Sequence, residues 1–363
     1  MKKIKYKVLI FGAGAIGRGF LAPKFYSKNY SISFVDSNLD LVRKLKKRKK
    51  YIAAFTNGKN YKINEVMINE VFDINDKFDI SNYDLVFSCV GPKQCYEIVD
   101  KFKNAKNIIT CENDRNSKEI IKEITNIRNV YFAIPDVITS NTAPDNLKKI
   151  DELCTVSEQG ILVVENNNLN FSNVAQKLNP DKLNMHWYCK LFIHNAPHAI
   201  LAYLGSKKKY QFIHEAMNDK IIRKIVTSSM YEISEGLINS GLVKANFVKY
   251  YRDKEIKRFA NKILYDPISR VGREPLRKLA SDNRIILALR LSFLGKKIPT
   301  NTLIGLKAAL NYYDKNDNES MYLQNLKKSL SENEILKKIS GIDEKDPISL
   351  LCKKIDLNKS LKI

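Results

Sequence analysis

The 363-residue sequence contains only six cysteines, and they are scattered along the chain without paired spacing. This pattern excludes a zinc ribbon or a disulfide scaffold and fits a reducing compartment. The sequence also lacks an apolar run long enough to span a bilayer, so no membrane partner is expected. With 44% hydrophobic residues the chain can bury the cores of two ordinary domains, and we expect a cytoplasmic protein.

Acidic residues are scarce relative to basic ones, which gives a formal net charge of +23. Such a charge favours nucleic acid binding when lysines and arginines cluster within a known motif. Here the lysines are spread among abundant Asn and Ile, and no RNP, zinc-finger or basic-zipper pattern accompanies them. We therefore attribute the charge to composition bias and predict no nucleic acid partner, although the charge attracts anionic substrates.

A glycine motif follows the strand-like run that ends at Phe11. Its Gly-x-Gly-x2-Gly spacing is typical of a dinucleotide-binding loop, in which backbone amides face a pyrophosphate. The next strand-like run ends in an aspartate at the spacing of a carboxylate that accepts both ribose hydroxyls. Because this carboxylate would repel a 2′-phosphate, the motif predicts NAD rather than NADP. The predicted cofactor-binding residues are Gly12, Ala13, Gly14, Ala15, Ile16, Gly17 and Asp36.

A secretory signal peptide is the alternative for this segment. Met1-Lys2-Lys3 is a charged start, and Ala13-Gly14-Ala15 resembles a cleavage site. However, glycine interrupts the apolar run within five residues of Lys7, and the glycine spacing would then be a coincidence. We favour the dinucleotide-binding loop.

Strand and helix patterns alternate in the first half of the chain, which predicts a doubly wound parallel sheet. In that fold, ligands bind beyond the carboxyl ends of the strands. Residues 166–181 are Asn-rich and contain proline, and helical spacing of apolar residues dominates beyond them. We predict an α/β protein with an N-terminal Rossmann-like, NAD-binding domain at residues 1–180. A mainly α-helical C-terminal domain for substrate and catalysis would follow at residues 181–363.

Near this junction, Lys190, Asn195 and His198 place an amine, an amide and an imidazole within nine residues. Such groups suit alcohol and ketone redox chemistry, in which a base removes the hydroxyl proton as hydride leaves carbon and donors steady the negative oxygen. Pro197 disfavours helical geometry at the residue before it, so we expect one helix to end and another to start near Asn195. The alternative role of Asn195 is that of a helix cap.

Three of the four histidines, His186, His194 and His198, fall in or just before the same stretch. Histidines four residues apart can bind zinc from one helix face. However, Pro197 disturbs that helix, no Glu follows His194 in the metalloprotease position, and no Cys or carboxylate nearby has convincing ligand spacing. We therefore predict no metal site.

The same three residues reproduce the Lys-x4-Asn-x2-His signature of the polyol-specific long-chain dehydrogenases, and the chain resembles this family from its first strand to about Arg290. Residues 12–20, 111–113, 198–205 and 270–279 carry the likeness, most narrowly to members that act on mannitol 1-phosphate. The resemblance implies a zinc-independent enzyme with a Rossmann domain and a helical C-terminal domain. It also implies NAD-dependent interconversion of mannitol 1-phosphate and fructose 6-phosphate.

The resemblance implies roles for individual residues as well. Lys190 would be the general base in polyol oxidation and the acid in ketose reduction, which requires a lysine pKa lowered toward neutrality. Asn195 and His198 would hydrogen-bond the reacting oxygen. Asn113 and Asp136 match family positions that orient substrate hydroxyls.

Four cations further along are candidates for binding a substrate phosphate, because guanidinium groups suit phosphate oxygens. Pro275 can also open a helix whose amino end adds donors. The alternative is a solvated basic face. Arginines are otherwise sparse yet concentrate between residues 252 and 290, and together with the motif match this favours phosphate binding. The predicted set is Arg270, Arg273, Arg277 and Lys278.

The chain departs from the family pattern at several places. Ala15 and Val137 stand where Asn and Arg are usual, and Ala196-Pro197 replaces a Thr-Gly pair, so substrate choice could be altered. One rival prediction is a relative that acts on a non-phosphorylated hexitol or a sugar acid. Another is an inactive protein that binds a dinucleotide or a nucleic acid. We expect a small-molecule sugar phosphate as the partner and a monomer or small homo-oligomer.

Overall fold

The computed structural model describes residues 6–28, 30–56, 58–171 and 173–363. The charged start Met1-Lys2-Lys3 therefore lies outside the described residues. The chain divides into two compact units. The first unit runs to Leu183 and includes Ile263–Tyr265, and the second comprises Asn184–Lys262 and Asp266–Ile363.

The strands belong to the first unit. They are β1 (Lys7–Phe11), β2 (Ser31–Asp36), β3 (Lys50–Thr56), β4 (Tyr61–Met67), β5 (Glu70–Asp73), β6 (Leu85–Ser88), β7 (Ile108–Thr110), β8 (Val130–Asp136), β9 (Thr139–Ser140), β10 (Thr155–Glu158), β11 (Ile161–Glu165) and β12 (Gln176–Leu178). One sheet has the order β12-β11-β8-β7-β6-β1-β2-β5, and a smaller sheet has the order β4-β3-β10-β9.

Six neighbouring strands of the large sheet, β5-β2-β1-β6-β7-β8, are parallel. Numbered among themselves along the chain, they have the order 3-2-1-4-5-6 of a dinucleotide-binding fold. β1 and β6 are nearly continuous apolar runs, as expected for strands covered on both faces. The strand order reverses between β1 and β6, so the loops after Phe11 and Ser88 meet at the switch point. The predicted Rossmann-like doubly wound sheet is confirmed.

The smaller sheet has no counterpart in the sequence-based prediction. Most side chains of β4 are exposed or half-buried, so its sequence carries little apolar pattern. The stretch predicted to be an irregular junction, residues 166–181, contains β12, which pairs in parallel with β11. A strand of three residues is too short to show a period of two.

The helices of the first unit, with the last extending into the second, are α1 (Ala22–Tyr26), α2 (Leu39–Arg48), α3 (Pro92–Glu97), α4 (Ser117–Thr125), α5 (Asp145–Ile150) and α6 (Pro180–Cys189). Those of the second unit are α7 (Ala196–Lys207), α8 (Ile213–Asn218), α9 (Lys220–Asn239), α10 (Ala245–Phe259), α11 (Ile268–Gly272), α12 (Pro275–Leu279), α13 (Arg284–Ser292), α14 (Thr300–Leu310), α15 (Asn318–Leu326), α16 (Glu332–Ser340), α17 (Pro347–Cys352) and α18 (Leu357–Leu361). Short 3-10 turns cover Ile80–Asn82, Val99–Phe102 and Lys262–Leu264, and π-helical turns cover Gly17–Leu21 and Lys190–Asn195.

The second unit is helical, as predicted. The long helix α9 packs on α13 and α14 in its core. A Cβ at Gly236 of α9 would clash with the backbone carbonyl of Leu291, so the absence of a side chain lets α9 and α13 approach closely. In the described part of the chain, no helix combines the length and the apolar character that a membrane crossing needs.

Candidate active site

The loop after β1 is a tight turn at the switch point of the sheet. Gly12 adopts a φ of +95°, and its N–H donates to Val35 O at 2.8 Å. A Cβ at Gly12 would lie 2.7 Å from Cys89 O, and one at Gly17 would clash with Gly12 O. A Cβ at Gly14, in contrast, would meet no atom of the described residues within 4 Å. The backbone at Gly14 therefore borders open space that a ligand can approach.

Asp36, the last residue of β2, is tied to this loop. Its Oδ2 accepts a hydrogen bond from Ala13 N–H at 2.7 Å, and its Oδ1 accepts one from Asn38 N–H at 2.8 Å. An ionised carboxylate offers about four acceptor positions. Asp36 is half-buried, so lone pairs remain for further donors such as ribose hydroxyls.

Arg18 holds the glycine loop from its other side and was not among the predicted site residues. Its buried side chain donates from Nε to Ala13 O and from Nη1 to Leu153 O, both at 2.6 Å. The hydroxyl of Tyr51 donates to Arg18 O at 2.7 Å. Burial lowers the pKa of Arg18. Its place within the glycine motif is the sequence signal that could have indicated this role.

Glu112 joins the end of β7 to the turn after β6. Its buried carboxylate accepts from Ser88 Oγ at 2.6 Å, from Val90 N–H at 3.0 Å and from Gly91 N–H at 2.9 Å. Burial raises the pKa of Glu112. These three hydrogen bonds tie Glu112, the residue directly before the predicted substrate residue Asn113, to the end of β6 and the turn that follows it. Asn113 is itself exposed.

Asp136 is the last residue of β8 and is buried. It therefore lies at the same edge of the sheet as Asn113 and the glycine loop, because parallel strands end at one edge. The structure thus brings the residues predicted on the first unit to a single edge. The other predicted residues belong to the second unit.

Lys190 and Asn195 are the first and last residues of the π-helical turn between α6 and α7. Hydrogen bonds of a π-helix join residues five apart, so this turn brings both side chains toward one face. The predicted helix break near Asn195 is wrong. Asn195 keeps helical dihedral angles (φ −64°, ψ −39°) and makes no side-chain cap. The widened turn accommodates Pro197, whose ring and missing N–H would disrupt an α-helical turn.

The three predicted catalytic residues are buried: Lys190, Asn195 and His198 are each 8% exposed. The Nδ2 of Asn195 has no hydrogen-bond partner among the described residues. Nearly all buried polar atoms are satisfied in folded proteins, so an amide donor held this way is suited to bind a ligand oxygen.

Two neighbouring histidines are each paired with a buried carboxylate. His198 Nε2 lies 2.8 Å from Asp266 Oδ2, and His194 Nδ1 lies 2.6 Å from Glu255 Oε2. Their ring centres are 5.1 Å apart, and the ring of Phe259 stacks on His198 at 4.9 Å. Burial lowers the pKa of His194 to about 4. Within the described ranges, no group of three or more His, Cys, Asp or Glu side chains could hold a metal ion.

The predicted phosphate-binding residues fall into two groups. Arg270 forms an ion pair with Asp266 and so belongs with His198. Arg273, Arg277 and Lys278 surround Glu274 instead: Arg277 Nε donates to Glu274 Oε2 at 2.7 Å.

α12 begins at Pro275, as the sequence suggested. The amino end of α12 is only partly available to a ligand, because Arg277 N–H already donates to Glu319 Oε2 at 3.1 Å. Recognition of an anion here therefore depends on side chains rather than on the helix end.

Arg284 joins this second group and was not predicted. Within the described chain, neither Arg284 nor Lys278 has a carboxylate at ion-pair distance: Arg284 Nε donates to Asn283 Oδ1 at 3.2 Å, and Lys278 Nζ donates to the carbonyl of Arg273. Burial, and then Arg277, lowers the pKa of Arg284 to about 10. Burial and the charges of Arg284 and Arg277 lower the pKa of Lys278 well below its usual value. The two buried cations of this cluster, Lys278 and Arg284, therefore carry positive charge that an anionic ligand would stabilise.

Comparisons with known proteins agree with this architecture. The mannitol dehydrogenase Rossmann domain matches residues 6–155, and the mannitol dehydrogenase C-terminal domain matches residues 182–358. Among solved structures, Pseudomonas fluorescens mannitol 2-dehydrogenase in ternary complex with NAD and D-mannitol has the same fold. Its TM-score is 0.76 at 15% identity, with 99% of this chain and 94% of that chain covered.

Curated relatives named mannitol-1-phosphate 5-dehydrogenase are similar over almost the whole chain. The protein of Mycoplasmopsis pulmonis is 32% identical over 365 residues, which cover 96% of this chain and 98% of the relative. That of Buchnera aphidicola subsp. Acyrthosiphon pisum is 32% identical over 360 residues, 91% of this chain and 93% of the relative. The resemblance predicted from the motifs is confirmed: the chain belongs to the mannitol dehydrogenase family and is an oxidoreductase that acts on a CH–OH group.

Proposed function

We propose that the protein is an NAD-dependent polyol-phosphate dehydrogenase that interconverts D-mannitol 1-phosphate and D-fructose 6-phosphate. The observation that carries this proposal is the buried π-helical turn, which bears Lys190 and Asn195 and is followed by His198 in the first turn of α7. An amine, an unsatisfied amide donor and an imidazole within one helical segment match what oxidation of a secondary alcohol requires.

The glycine loop and Asp36 fit NAD. The open backbone at Gly14 would face the pyrophosphate, and Asp36 has acceptor positions left for both adenosine ribose hydroxyls. The relatives named mannitol-1-phosphate 5-dehydrogenase and the neighbour solved with NAD support this choice. NAD, when bound, supplies the acceptor for the hydride.

Asp36→Asn should weaken NADH binding about 10-fold. It should also reduce the ratio of NADPH to NADH dissociation constants, because an amide removes the charge that repels a 2′-phosphate. Fluorescence titration with both cofactors measures the two dissociation constants. Asp40→Asn, at an exposed residue of α2, is the matched control and should leave both constants unchanged. Equal effects of the two substitutions would remove Asp36 from the cofactor site.

In the oxidative direction, Lys190 Nζ takes the proton of the reacting hydroxyl while the carbon loses hydride. Asn195 Nδ2 donates to the same oxygen as its negative charge develops, and His198 provides a second contact to it. In ketose reduction, protonated Lys190 returns the proton to that oxygen. Burial of all three groups keeps water from competing for these hydrogen bonds.

The cation cluster formed by the buried Lys278 and Arg284 with the more exposed Arg277 and Arg273 supports a phosphorylated substrate. Its positive charge exceeds what Glu274 balances, and guanidinium groups donate to phosphate oxygens in pairs. A neutral polyol hydroxyl would leave these buried charges without compensation.

The proposal is tested by following NAD reduction with mannitol 1-phosphate and with mannitol under identical conditions. We expect kcat/KM for the phosphate ester to exceed that for mannitol by about 100-fold or more, as charge-assisted contacts to a dianion provide. Equal or higher kcat/KM with mannitol would instead favour a dehydrogenase of non-phosphorylated polyols.

A further inference from the structure

His198 is held by a carboxylate that the signature of the family does not contain. Asp266 lies 68 positions further along the chain, directly before α11, and its Oδ2 is 2.8 Å from His198 Nε2. Both side chains are at least nine-tenths buried. The second oxygen of Asp266 pairs with Arg270, which lies four residues later on α11. Asp266 is therefore fixed between a guanidinium and an imidazole.

The charges around Asp266 keep it ionised. Burial opposes ionisation, but Arg270 and then His198 hold its pKa well below the usual range. An ionised carboxylate can only accept hydrogen bonds, so Nε2 of His198 must carry the proton that it donates. When the ring is neutral, Nδ1 is then the unprotonated nitrogen, and it has no hydrogen-bond partner among the described residues.

We propose that Asp266 is a positioning residue that fixes His198 as the Nε2–H tautomer and presents Nδ1 to the reacting oxygen, with Arg270 holding Asp266 in place. This inference rests on the proposed role of His198. Because Nε2–H already donates to Asp266, a proton that the ring takes up goes to Nδ1. In both directions the protonated ring donates from Nδ1–H to the reacting oxygen and Asp266 balances its charge, while Lys190 takes the hydroxyl proton in oxidation and returns it in reduction. Arg270 thereby acts through Asp266 rather than on a substrate phosphate.

The chain contains a matched pair for comparison. His194, one turn earlier, is bound to the buried carboxylate of Glu255, which Arg258 also contacts. The two pairs share burial, chemistry and the neighbouring ring of Phe259. They differ in two respects: His198 pairs through Nε2 and His194 through Nδ1, and His194 lies outside the Lys-x4-Asn-x2-His signature. If Asp266 had only a structural role, substitutions of Asp266 and of Glu255 should affect kcat to the same extent.

The first test needs no substrate. Two-bond ¹⁵N–¹H correlation spectra of histidine-labelled protein report the tautomer of each ring. The sequence has only four histidines, and the spectrum of the His198→Gln variant assigns His198. We expect neutral His198 in the unmodified protein to be Nε2–H. A neutral Nδ1–H ring would overturn the proposal, whether or not the protein oxidises a polyol phosphate.

Asp266→Asn gives the second test. Arg270 should keep the amide oxygen of Asn at its own side, which turns the NH2 group toward Nε2 and switches His198 to the Nδ1–H tautomer. We expect this switch together with a loss of about 100-fold in kcat, while KM for NADH stays unchanged. In Glu255→Gln, His198 should keep the Nε2–H tautomer. The kcat of this variant should stay within a factor of about 3 of that of the unmodified enzyme.

A double substitution distinguishes a positioning role of Asp266 from a general loss of structural integrity. If Asp266 acts through His198, Asp266→Asn should cost little further activity in the His198→Gln background. The same loss in both backgrounds, or an unchanged tautomer in Asp266→Asn, would overturn the proposal and leave Asp266 with a structural role only.

Discussion

Lys190→Ala is expected to lower kcat by about 10³-fold to 10⁴-fold, because removal of the general base leaves only water to take the proton of the substrate hydroxyl. The dissociation constant of NADH should not change, since the glycine loop and Asp36 do not involve Lys190. Rapid-mixing kinetics with mannitol 1-phosphate and fluorescence titration with NADH measure the two quantities separately.

Lys182→Ala is the matched control for this experiment. Lys182 lies on α6 ahead of the π-helical turn and is exposed, so its loss should leave kcat and stability nearly unchanged. Added small primary amines should partly restore turnover to Lys190→Ala but not accelerate the control. Retention of more than a tenth of the activity in Lys190→Ala would remove Lys190 from the mechanism.

Arg284→Met is expected to raise KM for fructose 6-phosphate by about 10-fold to 100-fold, the range of one lost charge-assisted contact to phosphate. kcat should change little, because the phosphate is remote from the bond that reacts. Thermal stability should stay equal or increase. Folding buries the Arg284 charge and places it near Arg277, which together lower its pKa to about 10, and methionine removes both the buried charge and the repulsion.

Arg290→Met is the comparison for Arg284→Met. Arg290 lies on the same helix, α13, but it is half-exposed and paired with Asp346. The Arg290→Met substitution should leave KM for fructose 6-phosphate unchanged. A lower melting temperature with unchanged KM in Arg284→Met would assign Arg284 to structure rather than to substrate binding.

The parallel sheet could be predicted from the sequence because its strands and its glycine turn are each marked by short segments of neighbouring residues. Nearly continuous apolar runs mark β1 and β6. Gly12 indicates a tight turn, because its φ of +95° is favourable only for glycine. β4 could not be predicted because its exposed positions carry no alternation, and β12 is too short to show any.

The helical segment of the candidate site shows where local rules mislead. Pro197 correctly indicates that an ordinary α-helical turn cannot continue, but a helix can respond by widening into a π-turn as well as by ending. No rule applied to the local sequence distinguishes these responses, since packing of the buried residues around the turn selects between them.

Contacts distant in sequence were beyond prediction from one chain. Asp266 and His198 are separated by 68 residues, and Arg270 had the composition and motif context of a phosphate ligand. In the structure Arg270 pairs with the carboxylate of Asp266, one helical turn earlier, which leaves its predicted contact with a phosphate untested. Arg284 lies just past the predicted basic segment, and only the fold shows that it is buried with Lys278.

The central claim is tested most directly by NADH consumption of the purified protein with fructose 6-phosphate and with fructose, each with and without a chelator. We predict rapid turnover of the phosphate ester, unaffected by the chelator, and little turnover of fructose. Turnover of fructose at an equal rate, or of neither sugar, would contradict the proposed polyol-phosphate dehydrogenase.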